Sequence, residues 1–115
     1  MSKPSDLDLL DDILICMEKI QSYINGITYE QFIDDLKTQD AVIRNIEVIG
    51  EAAKHLSDNL RLKYSDIPWK EIVGTRDRLI HGYFGVNIDI VWRIATVDIP
   101  KLKPRIEKIK NESVE

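Results

Sequence analysis

Apolar residues along this chain recur every three or four positions, and no stretch reads as a convincing strand. From Ser5 to about Ile24 they fall at Leu7, Leu10, Leu14 and Met17, flanked by Leu9, Ile13 and Ile20, the broad stripe of a half-buried helix. Asn25-Gly26 stops it. Thr28, followed three residues later by Gln31, matches a capping box and predicts a short helix through Phe32, Ile33 and Leu36. Val42, Ile46, Ile49, Ala53, Leu56 and Leu60 then alternate steps of four and three, a knobs-into-holes seam along a third helix. Gly50, Ala52 and Ala53 are small enough to let a neighbouring helix approach. Close contact is the natural reason for a mid-helix glycine, which costs about 1 kcal/mol against alanine. Pro68 suits the first turn of a fourth helix bearing Trp69, Ile72, Val73, Ile80 and Tyr83. Asn87 can cap a fifth containing Val91, Ile94 and Ala95, which Pro100 breaks or kinks. Residues 101–110 stay amphipathic through Leu102, Ile106 and Ile109. The expected fold class is therefore all-α: an antiparallel bundle of four to five helices, one domain over residues 1–115 with its core at about 6–110.

Composition narrows the setting. At 115 residues the chain is long enough for a single hydrophobic core. No apolar run approaches the roughly 18–20 residues that span a bilayer. The start, Met1-Ser2-Lys3-Pro4-Ser5-Asp6, lacks a basic, then apolar, leader. The single cysteine, Cys16, cannot form an internal disulfide and reads as a small core or boundary residue. These features together predict a cytoplasmic protein with no membrane partner. Net charge is −4, unevenly spread. Residues 1–50 carry four Lys/Arg against ten Asp/Glu, a balance of −6, and the remainder carries twelve against ten, a balance of +2. Binding by broad counterion release, as in tight non-specific association with duplex DNA, is excluded. A phosphate-binding surface has to be local and drawn from the second half.

That half contains Arg76-Asp77-Arg78-Leu79-Ile80-His81-Gly82-Tyr83. Arginine offers a planar, multi-donor cation for phosphate, and histidine takes and returns protons near neutral pH. Together they are a minimum kit for cutting a phosphodiester without a metal. On an ideal helix Arg76 and His81 lie about 140° apart. Either the helix loosens near Gly82, or one site combines side chains from two subunits. Asp77 and His81 are four apart and share a face, so the carboxylate would hold the imidazole tautomer. Arg76 and Tyr83, seven apart, also share a face. Arg76 falls within the apolar stripe of Trp69, Val73 and Ile80, where an arginine needs an ion partner, a subunit interface or a ligand.

Read singly, these residues are ordinary. Arg76 alone would be a salt-bridge residue, His55 structural, and Trp69 and Trp92 core. Glu47 and Glu51 share a helical face, which reads as a solvated face or a salt bridge to a neighbouring helix before it reads as an acid–base or metal pair. No paired cysteines, His-x-x-x-His spacing or glycine-rich phosphate loop occurs, so no metal ligand set and no cofactor are expected.

The blocks Ile49-Gly50-Glu51-Ala52-Ala53, Pro68-Trp69, residues 76–86, Val91-Trp92 and Ile99-Pro100 carry a further signal. Their order and spacing resemble the HepT-like toxins, a branch of the HEPN superfamily of helical ribonucleases, from about Asp6 to Lys110. The resemblance implies a helical-bundle homodimer with two Arg-x-x-x-x-His motifs facing one cleft, and metal-independent cleavage of RNA. It also implies a cognate antitoxin, a minimal nucleotidyltransferase that transfers AMP to a tyrosine two places after the histidine. Carried onto this chain, Arg76 and His81 match the catalytic pair and Tyr83 the modified tyrosine. Asp77, in a supporting position, stands where the family most often has Asn and sets a negative charge beside the site. Asn87 replaces a common Asp, and both are helix caps. The reading is an endoribonuclease toxin of a toxin–antitoxin module. The alternative is a non-catalytic HEPN-like nucleotide-binding or partner subunit of a nucleotidyltransferase.

Overall fold

Ser5 opens the first helix, α1 (Asp6–Ile24), with a complete capping box: its hydroxyl accepts from the Asp8 N–H at 3.1 Å, and the Asp8 carboxylate accepts from the Ser5 N–H at 3.3 Å. The computed structural model describes residues 4–79 and 85–113. The chain leaves α1 through Asn25 and Gly26, the latter at φ +78°, a conformation that glycine adopts without penalty. Thr28 and Gln31 form the expected second box and start α2 (Tyr29–Ile33).

The third helix begins earlier than its apolar seam suggests. Asp35 accepts from the Thr38 N–H at 3.0 Å and caps α3 (Leu36–Lys54), so Leu36 opens this helix and does not close the previous one. It points outward, 72% exposed. Gln39 is buried there, its amide donating to the carbonyls of Phe32 and Ile33 and so satisfying the end of α2. The seam is also divided. α3 stops at Lys54, and Ser57 caps a separate α4 (Asp58–Lys63), although Leu56 and Leu60 both stay buried. The break is fixed from a distance: the Ser57 N–H and hydroxyl donate to the Asp6 carboxylate at 2.9 and 2.6 Å. This contact puts the start of α1 beside the end of α3. Lys110, near the end of the last helix, pairs with Asp11 near the start of α1. Both neighbours of α1 therefore run antiparallel to it.

Pro68 precedes α5 (Trp69–Val73), and Gly74 separates it from α6 (Thr75–Leu79). Asn87 caps α7 (Ile88–Arg93), accepting from the Ile90 N–H at 3.2 Å. Residues 94–98 then form a π turn that leads into α8 (Ile99–Ser113). Pro100 lies in the first turn of α8. It has no N–H and its ring crowds the carbonyl four residues back, so the turn before it widens while the helical path continues. The fold is all-α, as expected, but the long helices are cut into shorter segments at residues 55–57, 74 and 94–98.

One buried cluster joins these elements. Leu10, Ile13, Met17 and Ile20 of α1 meet Val42, Ile46 and Ala53 of α3, and Ile106 and Ile109 of α8 close the layer. Cys16 is buried with them, and burial pushes its thiol above its ordinary pKa, away from the reactive thiolate. Trp69 is core, its indole N–H donating to the Tyr64 carbonyl at 3.0 Å. Trp92 is half-buried against Phe32 and Tyr29, ring centroids 5.0 and 6.0 Å away.

Gly50 is the contact that matters for the site. A Cβ there would stand 3.2 Å from the Ile72 carbonyl oxygen and 3.5 Å from that of Val73. The end of α5 is thus seated directly on α3. A valine at this position would push backbone against backbone. Gly50→Val is expected to destabilise the fold by about 1–3 kcal/mol, read from chemical denaturation. Gly50→Ala should lie much nearer zero, because better helix propensity offsets slight crowding.

Candidate active site

The motif begins on α6, five residues long and set by its neighbours. The Thr75 hydroxyl lies 2.9 and 2.8 Å from the carbonyls of Glu71 and Ile72 and closes the break at Gly74. With its hydroxyl satisfied, Thr75 takes the inward place between Ile72 and Leu79, all three buried. This corrects the apolar stripe read from the sequence. Arg76 is one residue round from Thr75 and faces outward, its side chain 68% exposed.

Arg76 has an ion partner. Its Nε lies 3.5 Å from Oε2 of Glu47 on α3, whose side chain is 33% exposed. Of the readings open to Glu47, the salt bridge to a neighbouring helix is the observed one. Glu51 instead pairs with the residue that caps the end of its own helix, Oε1 3.1 Å from His55 Nε2, both side chains well exposed. His55 is thus a surface partner of Glu51. Exposed pairs of this kind contribute about 0–1 kcal/mol and leave the guanidinium free to exchange partners.

Two surface grooves meet at Arg76. One, about 480 Å³, runs between α1, α3 and α6 and is lined by Arg44, Glu47, Glu51 and His55. The other, about 300 Å³, is lined by Glu47, Gly50, Lys54, Gly74 and Asp77. Asp77 is exposed and borders the second groove beside Arg76. Arg78, on another side of α6, borders a separate cavity of about 290 Å³ walled mainly by Ile46, Ile49, Ile72, Ile99 and Leu102. Arg105 at its edge is held by Asp66 at 2.8 Å, and that guanidinium keeps the Asp66 carboxyl below its ordinary pKa.

His81 and Tyr83 lie outside the described residues, as do Ile80, Gly82 and Phe84. The backbone is pinned on either side of them: the Asn87 N–H donates to the Leu79 carbonyl at 2.8 Å. Of the site residues read from the sequence, the structure therefore places Arg76 and Asp77 together at one groove. Sequence reasoning missed Glu47 as the partner of Arg76, and Arg44 as a second arginine on the larger groove. The available signal was position, since Glu47 is one turn before the close-contact Gly50 and Arg44 one turn earlier again.

Fold and site together define a helical-bundle protein that displays an exposed arginine where two grooves join. Within that class, the chain belongs to the HepT-like family, described as "Ribonuclease HepT-like", which matches residues 13–109. It is similar to a probable ribonuclease HepT of Thermococcus cleftensis, 43% identical over 108 residues that cover 94% of this chain and 98% of the relative. A candidate RNase of Methanocaldococcus jannaschii is 44% identical over 109 residues, covering 95% and 90% of the two chains. Another, from Caldanaerobacter subterraneus, is 43% identical over 100 residues, covering 87% and 89%. No solved structure gives a significant match.

Proposed function

We propose that this chain is a metal-independent endoribonuclease, the toxin of a module whose antitoxin is a nucleotidyltransferase. The observation that carries the reading is Arg76, exposed at the meeting of two grooves in a member of the HepT-like ribonuclease family. In this mechanism His81 takes the proton of an RNA 2′-hydroxyl and the freed oxygen attacks the adjacent phosphorus. The bond to the 5′-oxygen breaks, and that oxygen gains a proton. Arg76 stabilises the charge that grows on the phosphate. The products are a 2′,3′-cyclic phosphate and a 5′-hydroxyl end. DNA lacks the attacking hydroxyl and should not be cut.

The test is cleavage of single-stranded RNA by purified protein in excess EDTA. If chelation stops cutting and added metal restores it, the mechanism is wrong. Toxicity on expression that His81→Ala relieves separates the enzyme from a non-catalytic partner of a nucleotidyltransferase, which would be harmless in both forms.

The working unit in this proposal is a homodimer. Arg76 and His81, about 140° apart on a straight helix, are combined most simply across two subunits. Light scattering at micromolar concentration should give twice the chain mass of 13.3 kDa. A stable monomer would rule out a composite site.

A further inference from the structure

The resident partner of Arg76 is an anion, and so is the proposed substrate. We propose that Glu47 is a built-in competitor for phosphate at Arg76, releasing the guanidinium only to a phosphate that displaces it. The inference rests on the reading of Arg76 as the phosphate-binding residue.

Three observations carry it. Glu47 is the acidic residue paired with Arg76, and at 3.5 Å the contact is an ion pair longer than a good hydrogen bond, so it can be exchanged. Glu47, like Glu51, borders both grooves that meet at Arg76, but Glu51 is paired with His55, so the carboxylate an incoming phosphate meets on the guanidinium is that of Glu47. Finally, the pairing is fixed by the fold. Gly50, one turn along α3 from Glu47, seats the carbonyls of Ile72 and Val73, and the chain reaches Arg76 three residues after Val73. A carboxylate locked in register with an exposed arginine is more than a passing surface contact.

The displaced carboxylate has somewhere to go. Arg44 lies three residues before Glu47 on α3, a spacing that lets side chains meet, and it lines the larger groove. No ion pair links Arg44 to an acidic side chain among the described residues. Glu47 can therefore move from Arg76 to Arg44 without being left unpaired. Asp12, Glu47 and Glu51 set three carboxylates against Arg44 and Arg76 in the larger groove, in line with a chain that is acidic overall.

The experiment uses the full chain and two probes. Inorganic phosphate is titrated while the Nε–H resonance of Arg76 is followed by NMR. A labelled single-stranded DNA oligonucleotide, which carries phosphates and lacks the attacking hydroxyl, is followed by fluorescence anisotropy in EDTA. Glu47→Gln should halve the half-saturating phosphate or lower it up to about five-fold, the range of an exposed ion pair. It should tighten oligonucleotide binding by a similar factor, and Arg76→Gln should abolish that gain. Equal tightening with and without Arg76 would show only a general charge effect and overturn the proposal. Unchanged or weaker binding in Glu47→Gln would overturn it as well. Should the wild-type protein cut no RNA while Glu47→Gln still lowers the phosphate requirement at Arg76, the competitor stands and the ribonuclease reading falls. Should RNA be cut with no response at Arg76 to the substitution, the reverse holds.

Discussion

Replacing His81 by alanine should lower RNA cleavage by about 10²–10⁴, the usual effect of losing a general acid–base group. Arg76→Ala should lower it by about 10²–10³, the range seen when one charge-stabilising donor is removed from a developing anion. The two losses have different physical origins. In the proposed mechanism, losing His81 leaves the proton on the 2′-hydroxyl, so the nucleophile is rarely made. Without Arg76 the nucleophile forms, but the phosphate must take on charge with less compensation. Arg76→Ala should not disturb the fold, because the side chain is 68% exposed and its only ion pair among the described residues, with Glu47, is a surface one. An unfolding free energy within about 0.5 kcal/mol of the parent's is the expected control. The rate is best read as the appearance of 2′,3′-cyclic phosphate ends on single-stranded RNA. If both variants cut at the parental rate, the motif is not the site.

The legibility of this fold depended on how local each signal was. The capping box at Thr28 was readable because its bonds span three residues. The wide stripe of α1 was equally clear, since Leu10, Ile13, Met17 and Ile20 are all but fully buried. The division between α3 and α4 was not. Leu56 and Leu60 keep the periodicity of the seam across the break, while the contact that fixes it comes from Asp6, 51 residues away. Periodicity records which residues are buried. It does not record whether the backbone between them stays helical.

The same limit explains the misplacement of Arg76. Extending one helical phase from Trp69 to Ile80 put it in an apolar stripe, but Thr75 is the buried residue because its hydroxyl finds two carbonyl acceptors, those of Glu71 and Ile72. A small polar residue with local acceptors can fill an inward position that hydrophobicity alone assigns elsewhere. The close approach at Gly50 was readable as a reason for a mid-helix glycine. What it would seat was not, because the Ile72 carbonyl lies 22 positions away in sequence. The candidate pair was legible as chemistry, through residue type and spacing, and Arg76 now has a position, a partner and two grooves.

Control through Tyr83 is the second large effect. In the proposed module the antitoxin presents ATP to the tyrosine. The phenol oxygen attacks the α-phosphorus, pyrophosphate leaves, and the phenol proton passes to solvent or a base on the antitoxin. Each AMP transferred adds at least one negative charge, seven residues after Arg76 in sequence and on the same helical face if the helix continues. That charge would pair with Arg76 more strongly than a neutral group could, and the nucleotide would fill space that RNA needs. Modification should therefore reduce cleavage at least as far as Arg76→Ala does, without unfolding the bundle. Tyr83→Phe should stay folded and largely active, because nothing in the proposed chemistry requires the phenol hydroxyl. It should also resist inactivation by the nucleotidyltransferase and ATP. Intact mass after that incubation decides the matter. The parent chain should gain one or more AMP groups and Tyr83→Phe none, whereas an undiminished adduct on Tyr83→Phe would move the modification to another residue.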